Sequence, residues 1–190
     1  MKVNIGVSAR HVHLCERDFK LLFGNDKSLT KYKDLTQPGQ YACNEKVSLI
    51  TEKGKIENVR ILGPLRDYTQ VEISKTDSYV LGINPPVRES GDLKGSEKMR
   101  IEYCGNVIEV EGCIIANRHI HISYDELTKY NLKDGQIVKL KVFGEKSAIL
   151  ENVKVKASRD AYFEAHLDLD DANANLIKNG DVGEIMYERV

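Results

Sequence analysis

No apolar run in this chain approaches the roughly 18 to 20 residues that a membrane-spanning helix needs, so a membrane is not an expected partner. The N-terminus lacks the charged, apolar and small-residue succession of a signal peptide, which predicts a cytoplasmic location. A bias of charge is missing too. The 28 basic and 29 acidic residues are well mixed and give a net charge of −1, and without a polybasic stretch nucleic acid is not expected either. The four cysteines, Cys15, Cys43, Cys104 and Cys113, form no CxxC pair and lack the density of a secreted disulfide scaffold, so free thiols are expected. Histidine is scarce, with five in 190 residues.

Four of those five histidines fall in two copies of one phrase, Arg10-His11-Val12-His13-Leu14 and Arg118-His119-Ile120-His121-Ile122, separated by a constant 108 residues. In a strand, side chains at i and i+2 share a face, so each phrase presents two imidazoles side by side while Val12 and Ile120 turn the other way. A single HxH reads best as polar residues on an exposed strand. Two copies point instead to a duplicated metal clamp, and neutral imidazole suits zinc and its neighbours.

A second repeat supplies a third ligand for each pair. Glu57-Asn58-Val59 recurs as Glu151-Asn152-Val153, 94 residues later, and the same offset sets Glu72 opposite His166. The inferred clusters are His11, His13 and Glu72 in one half, and His119, His121 and His166 in the other. Structural zinc sites usually close with four protein ligands rich in cysteine, whereas three from histidine and carboxylate leave a position open, which favours catalysis.

The duplication implies two similar halves. Short apolar runs at 47–51, 59–62, 71–73, 137–143 and 153–156, broken by glycine turns, read as strands. Each HxH is followed by a helical pattern. The first is Glu16 to Phe23 with Gly24 as terminator; the second opens on the capping box Ser123-Tyr124-Asp125-Glu126. Many short strands with few helices predict a mainly β chain of two tandem small barrels. The Pro-, Gly- and Ser-rich stretch from Pro85 to Ser96 reads as the connector. The expected division is residues 1–86, a connector at 87–97, and residues 98–190, with exchange of strands between the halves allowed.

Several long motifs together resemble the phosphate propanoyltransferase, or phosphotransacylase, family of the propanediol-utilisation type. They are Val7-Ser8-Ala9-Arg10-His11-Val12-His13-Leu14, Leu35-Thr36-Gln37-Pro38-Gly39-Gln40-Tyr41, the segment from Glu57 to Pro64, Gln70-Val71-Glu72-Ile73-Ser74, the connector, and Arg118-His119-Ile120-His121. The resemblance covers nearly the whole chain. It implies tandem β-barrels capped by short helices, two zinc ions on the six residues already inferred, and interconversion of a short-chain acyl-CoA plus phosphate with acyl phosphate plus coenzyme A. It also implies a phosphate-binding and catalytic role for Arg66, and coenzyme A contacts at Val7, Ser8, Ala9, Lys53, Arg60 and Asn173. A homodimer is implied as well. Microcompartment members of the family often carry an N-terminal extension, and here the first strand begins almost at Met1, so a cytoplasmic enzyme is expected at least as much as an encapsulated one.

The chemistry expected is direct. One zinc would hold phosphate with Arg66, and the other would polarise the thioester or receive its sulfur. With every histidine assigned to metal, none remains to activate a serine or cysteine, which disfavours an acyl-enzyme. The ligand sets share no bridging carboxylate, so two separate metals in one cleft are expected. The alternative is a tandem cupin-like metal-binding sensor or small-ligand binder. A metal-dependent hydrolase is a weaker one, because the common HxH barrels need about 250 residues.

Overall fold

The computed structural model describes residues 1–187, and their contacts divide the chain into two compact units. Unit I is Arg10–Ala116; unit II joins Met1–Ala9 to the chain from Asn117 onward. The first strand, β1 (Lys2–Ser8), belongs to unit II. Unit I then runs β2 (His11–His13), α1 (Glu16–Phe23), β3 (Lys31–Asp34), β4 (Tyr41–Ile50), β5 (Lys55–Gly63), β6 (Gln70–Glu72), α2 (Lys75–Leu81), β7 (Val87–Arg88), β8 (Glu97–Tyr103) and β9 (Asn106–Ala116). Unit II continues with β10 (His119–Ser123), α3 (Tyr124–Lys129), β11 (Ile137–Val142), β12 (Ala148–Ser158), β13 (Glu164–Asp168), α4 (Leu169–Ala174) and β14 (Val182–Met186).

Each unit is a closed six-stranded barrel. In unit I the ring is β4-β5-β2-β6-β9-β8, closed by β8 on β4, with β3 added beside β4 and β7 beside β9. In unit II the ring is β1-β13-β10-β12-β11-β14. The two match strand for strand. The HxH strand is parallel to β5 in one and β12 in the other, and antiparallel to β6 and β13. Closure leaves neither ring with an open edge.

The expected division at 1–86 and 98–190 differs from these units because strands are exchanged. The strand that precedes each HxH sits in the other unit's barrel: β1 precedes β2 but closes unit II, and β9 precedes β10 but closes unit I. The join of the duplication therefore lies at the β8–β9 hairpin around Cys104 and Gly105, both at positive φ. The stretch expected as a connector belongs to unit I, where Val87 and Arg88 pair with Ile115 and Ala116. Proline and glycine there mark turns inside a barrel, since turn chemistry is the same within a domain as between domains.

Alternation fills each core. Val12 and Leu14 bury into the unit I cluster with Phe19, Leu22, Leu49 and Ile61, and Ile120 and Ile122 into the unit II cluster with Ile5, Leu140, Val155 and Leu167. Each such side chain contributes about 1.5–3 kcal/mol of burial, which holds the HxH register because a one-residue slip would expose the apolar face. The expected first helix is α1, ended by Gly24 at φ 93°, and the Ser123 capping box forms with Glu126. Two further helices follow the strands that carry Glu72 and His166: α2 has a capping box between Ser74 and Asp77, and α4 is capped by Asp168.

Candidate functional site

In each unit the third inferred ligand is the direct antiparallel neighbour of the first histidine. His11 faces Glu72 across β2 and β6, and His119 faces His166 across β10 and β13. Directly opposed residues put their Cβ atoms about 4.5–5.5 Å apart on one face, so strand pairing alone gathers the three groups. Their ligand atoms lie within 4.8 Å of one another in both clusters. In unit I, His11 Nε2 is 3.5 Å from Glu72 Oε2, and the two imidazoles meet edge to face with centroids 4.9 Å apart. In unit II, His119 Nε2 lies 3.1 Å from His121 Nε2, and the His166 ring centroid is 5.1 and 4.7 Å from those of His119 and His121.

The surroundings keep His13 and His121 neutral. Burial, then the neighbouring His11 and Arg66, holds His13 well below the ordinary imidazole range. Burial, then His119 and His166, pushes His121 down to about 2. Outer nitrogens find backbone acceptors: His13 Nδ1 lies 3.2 Å from the Leu62 carbonyl and His119 Nδ1 2.8 Å from that of Asn117. Neutral imidazoles with one nitrogen anchored and the other aimed at a shared point are the donor set that borderline divalent metals take. By that test both clusters fit a metal such as zinc.

Arg66 is set beside the first cluster. Its backbone N–H donates to the Leu14 carbonyl at 2.9 Å, one residue beyond His13, and it bridges Cys15. Its guanidinium Nη1 donates to Ser90 Oγ at 3.1 Å. Gln70 completes the chain: its side-chain nitrogen donates to Ser90 Oγ at 2.9 Å and to Glu72 Oε1 at 2.6 Å, while its oxygen accepts from the Gly91 N–H at 2.8 Å. Arg66 thus connects to Glu72 through two polar side chains, one of them in the stretch expected as connector. It opens onto a cleft of about 790 Å³ also lined by Arg17, Tyr68 and Thr69. The 94-residue offset sets Asp160 where unit I has Arg66.

The residues inferred as coenzyme A contacts are spread over both units. Val7 and Ser8 end β1 in unit II, where the Val7 N–H donates to Asn179 at 3.1 Å, and Asn173 sits in α4. Arg60 is the register partner of His11 in unit I, stacks on Tyr32 at 4.8 Å, and donates to the Cys43 carbonyl. Lys53 stands in the β4–β5 turn, and Arg60 lies seven residues further along the chain. Gln70, Ser90 and Glu164 escaped the sequence reading. The offset that pairs Glu72 with His166 also pairs Gln70 with Glu164, but neither is a metal-ligand motif by itself.

The sequence profile of the family described as Phosphate propanoyltransferase matches residues 4–178. The phosphate propanoyltransferase of Priestia megaterium is 48% identical over 188 residues, covering 98% of this chain and 87% of the relative. That of Thermotoga maritima is 47% identical over 180 residues, covering 94% and 86%, and that of Clostridioides difficile 42% identical over 185 residues, covering 97% and 88%. With two HxH barrels and a match of this extent, the chain belongs to the phosphate propanoyltransferase family of acyltransferase enzymes.

Proposed function

We propose that this protein is a zinc-dependent phosphate acyltransferase that interconverts propanoyl-CoA or acetyl-CoA plus phosphate with the acyl phosphate plus coenzyme A. The observation that carries the reading is the connection of Arg66 through Ser90 and Gln70 to Glu72, which ties an anion-binding guanidinium to a metal-ligand cluster. In this reading His11, His13 and Glu72 hold one zinc, and His119, His121 and His166 the other. Bound zinc would supply Lewis-acid polarisation of oxygen and a partner for thiolate.

The chain's own residues do the rest. Arg66 presents a planar fork that matches two phosphate oxygens, and Ser90 fixes that fork's direction. A phosphate oxygen attacks the thioester carbonyl carbon; the new C–O bond forms, the C–S bond breaks, and coenzyme A leaves as thiolate. All five histidines stand in the two clusters, and Cys15 contacts Thr69, whose hydroxyl lies 3.4 Å from its sulfur. Without a histidine to activate a nucleophile, direct transfer is favoured over an acyl-enzyme. Val7, Ser8, Ala9, Lys53, Arg60 and Asn173 are the proposed coenzyme A contacts. Homodimeric assembly and a cytoplasmic location, with the bacterial microcompartment as the other location, belong to the same reading.

The test is phosphate-dependent release of coenzyme A from acetyl-CoA and propanoyl-CoA by the purified protein, before and after chelation, with Arg66→Ala alongside. Release that needs phosphate, stops on chelation, returns with zinc and collapses in the variant supports the proposal. A metal-loaded protein inert toward both thioesters supports the metal-binding module instead.

A further inference from the structure

We infer that Glu164 is a positioning residue for the all-histidine cluster, holding His166 in one tautomer and orientation so that its other ring nitrogen is free to ligate. The inference rests on the metal reading above. Glu164 is 3% exposed, and its Oε2 lies 2.8 Å from His166 Nε2. With the carboxylate oxygen as the acceptor of this contact, Nε2 carries the hydrogen and Nδ1 keeps the lone pair. The carboxylate is not part of the gathering of ligand atoms formed by His119, His121 and His166, which makes it the outer partner of a ligand and not a fourth one.

Backbone geometry fixes the carboxylate. Glu164 is the cross-strand partner of His121, and Gly6 of β1 is the partner of His166. A Cβ on Gly6 would stand 3.0 Å from Glu164 Cδ and Oε2 and 3.1 Å from His166 Cδ2. The glycine leaves room for the pair, which a larger residue would force to give by a few tenths of an ångström. The comparison between units gives the pair a purpose. In unit I the corresponding position is Gln70, a neutral amide that donates to the carboxylate ligand Glu72. In unit II the roles are reversed: the ligand is an imidazole with a hydrogen to give, and the neighbour is a carboxylate to receive it. Both clusters thus carry one carboxylate, inside the ligand set in unit I and behind it in unit II, and a carboxylate behind a histidine raises that ligand's basicity.

The experiment is zinc titration with a competing chelator on the full chain, wild type against Glu164→Gln, with His119→Ala identifying which equivalent belongs to unit II. The ring-nitrogen chemical shifts of the metal-free protein are recorded alongside. Two equivalents in the wild type are expected. In Glu164→Gln the unit II equivalent should weaken about 10–100-fold, with the unit I equivalent unchanged. In the metal-free wild type His166 should be the Nε2–H tautomer. Unchanged unit II affinity, or His166 as the Nδ1–H tautomer in the wild type, overturns the inference, and the second result decides even where the variant does not fold. Failure of the wild type to bind zinc at all would sink the metal reading and leave the tautomer measurement standing.

Discussion

Arg118 and Asp171 form a two-point ion pair, with Nε 2.7 Å from Oδ2 and Nη2 2.6 Å from Oδ1. Arg118 immediately precedes the second HxH strand, β10, and Asp171 stands in the first turn of α4, which follows the strand that carries His166. Unit I repeats the device: Arg10 precedes β2 and pairs with Asp77 in the first turn of α2, which follows Glu72. Asp77 and Asp171 are 94 residues apart, so the duplication preserved the brace as well as the HxH pairs. Asp171 raises the Arg118 pKa mainly through this hydrogen bond.

A double-mutant cycle on Arg118→Met and Asp171→Asn, read by urea unfolding, should give a coupling of about 1–2 kcal/mol. That exceeds an ordinary surface pair because the geometry is two-point, yet falls short of a buried one because both side chains keep some solvent. Coupling below about 0.3 kcal/mol would mean that the pair braces nothing.

Much of this was legible in the sequence because it is written at short range. The HxH pairs, the helix after each, and the Ser123 capping box all depend on neighbours a few residues apart. The 94-residue offset then carried Glu72 to His166 across a gap-free stretch. Asn58 and Asn152, in the same phrase of each repeat, hold φ of 60° and 58°, so even the backbone irregularity is duplicated. Exchange of strands between the halves was allowed for, but which strands exchange was not legible, because β1 and β9 have the same apolar pattern whichever barrel they close. Ser90 was hidden by its setting: a serine among prolines and glycines signals a turn, and only the folded barrel brings its hydroxyl to Arg66.

That placement gives a kinetic prediction. Ser90→Ala should raise the KM for phosphate several-fold while leaving the KM for acyl-CoA within twofold, because it frees the guanidinium without removing it. Gln70→Leu should cost more, since it also leaves Glu72 without its 2.6 Å donor, and a lost hydrogen bond to a charged group costs about 1.5–3 kcal/mol. Equal effects of Ser90→Ala on both substrates would argue that Arg66 does not hold phosphate. Initial-rate measurements with each substrate varied in turn decide it.

Gly112 marks a close approach of backbones. A Cβ there would stand 2.6 Å from the Thr69 carbonyl oxygen, where β9 runs beside the strand carrying Gln70 and Glu72. Neither backbone yields without breaking ladder hydrogen bonds, so Gly112→Ala should destabilise by about 2–3 kcal/mol. Gly144→Ala is the comparison, since it meets no atom within 4 Å and its cost is the strain of φ 122° alone. A Gly112→Ala protein as stable as wild type in urea would contradict the observed approach of these strands.

The thiols give a pH dependence independent of the histidine clusters. Burial, then Glu45, pushes Cys43 up to about 11, and burial, then Glu97 and Asp77, pushes Cys113 up to about 12, from an ordinary 9.0. Both folded values lie above the unfolded one, so above pH 9 the unfolded chain loses these protons while the folded chain keeps them. Their contribution to stability is therefore complete below pH 9 and declines as pH rises toward 11, by up to about 1.4 kcal/mol per pH unit per thiol. Urea midpoints at pH 8, 9 and 10 should fall more steeply for wild type than for a Cys43→Ala, Cys113→Ala double variant. At pH 8 a disulfide reagent should label the exposed Cys104 at once and reach Cys43 and Cys113 only after denaturation. Rapid labelling of either buried thiol in the folded protein would show that the core of unit I opens far more readily than its packing implies.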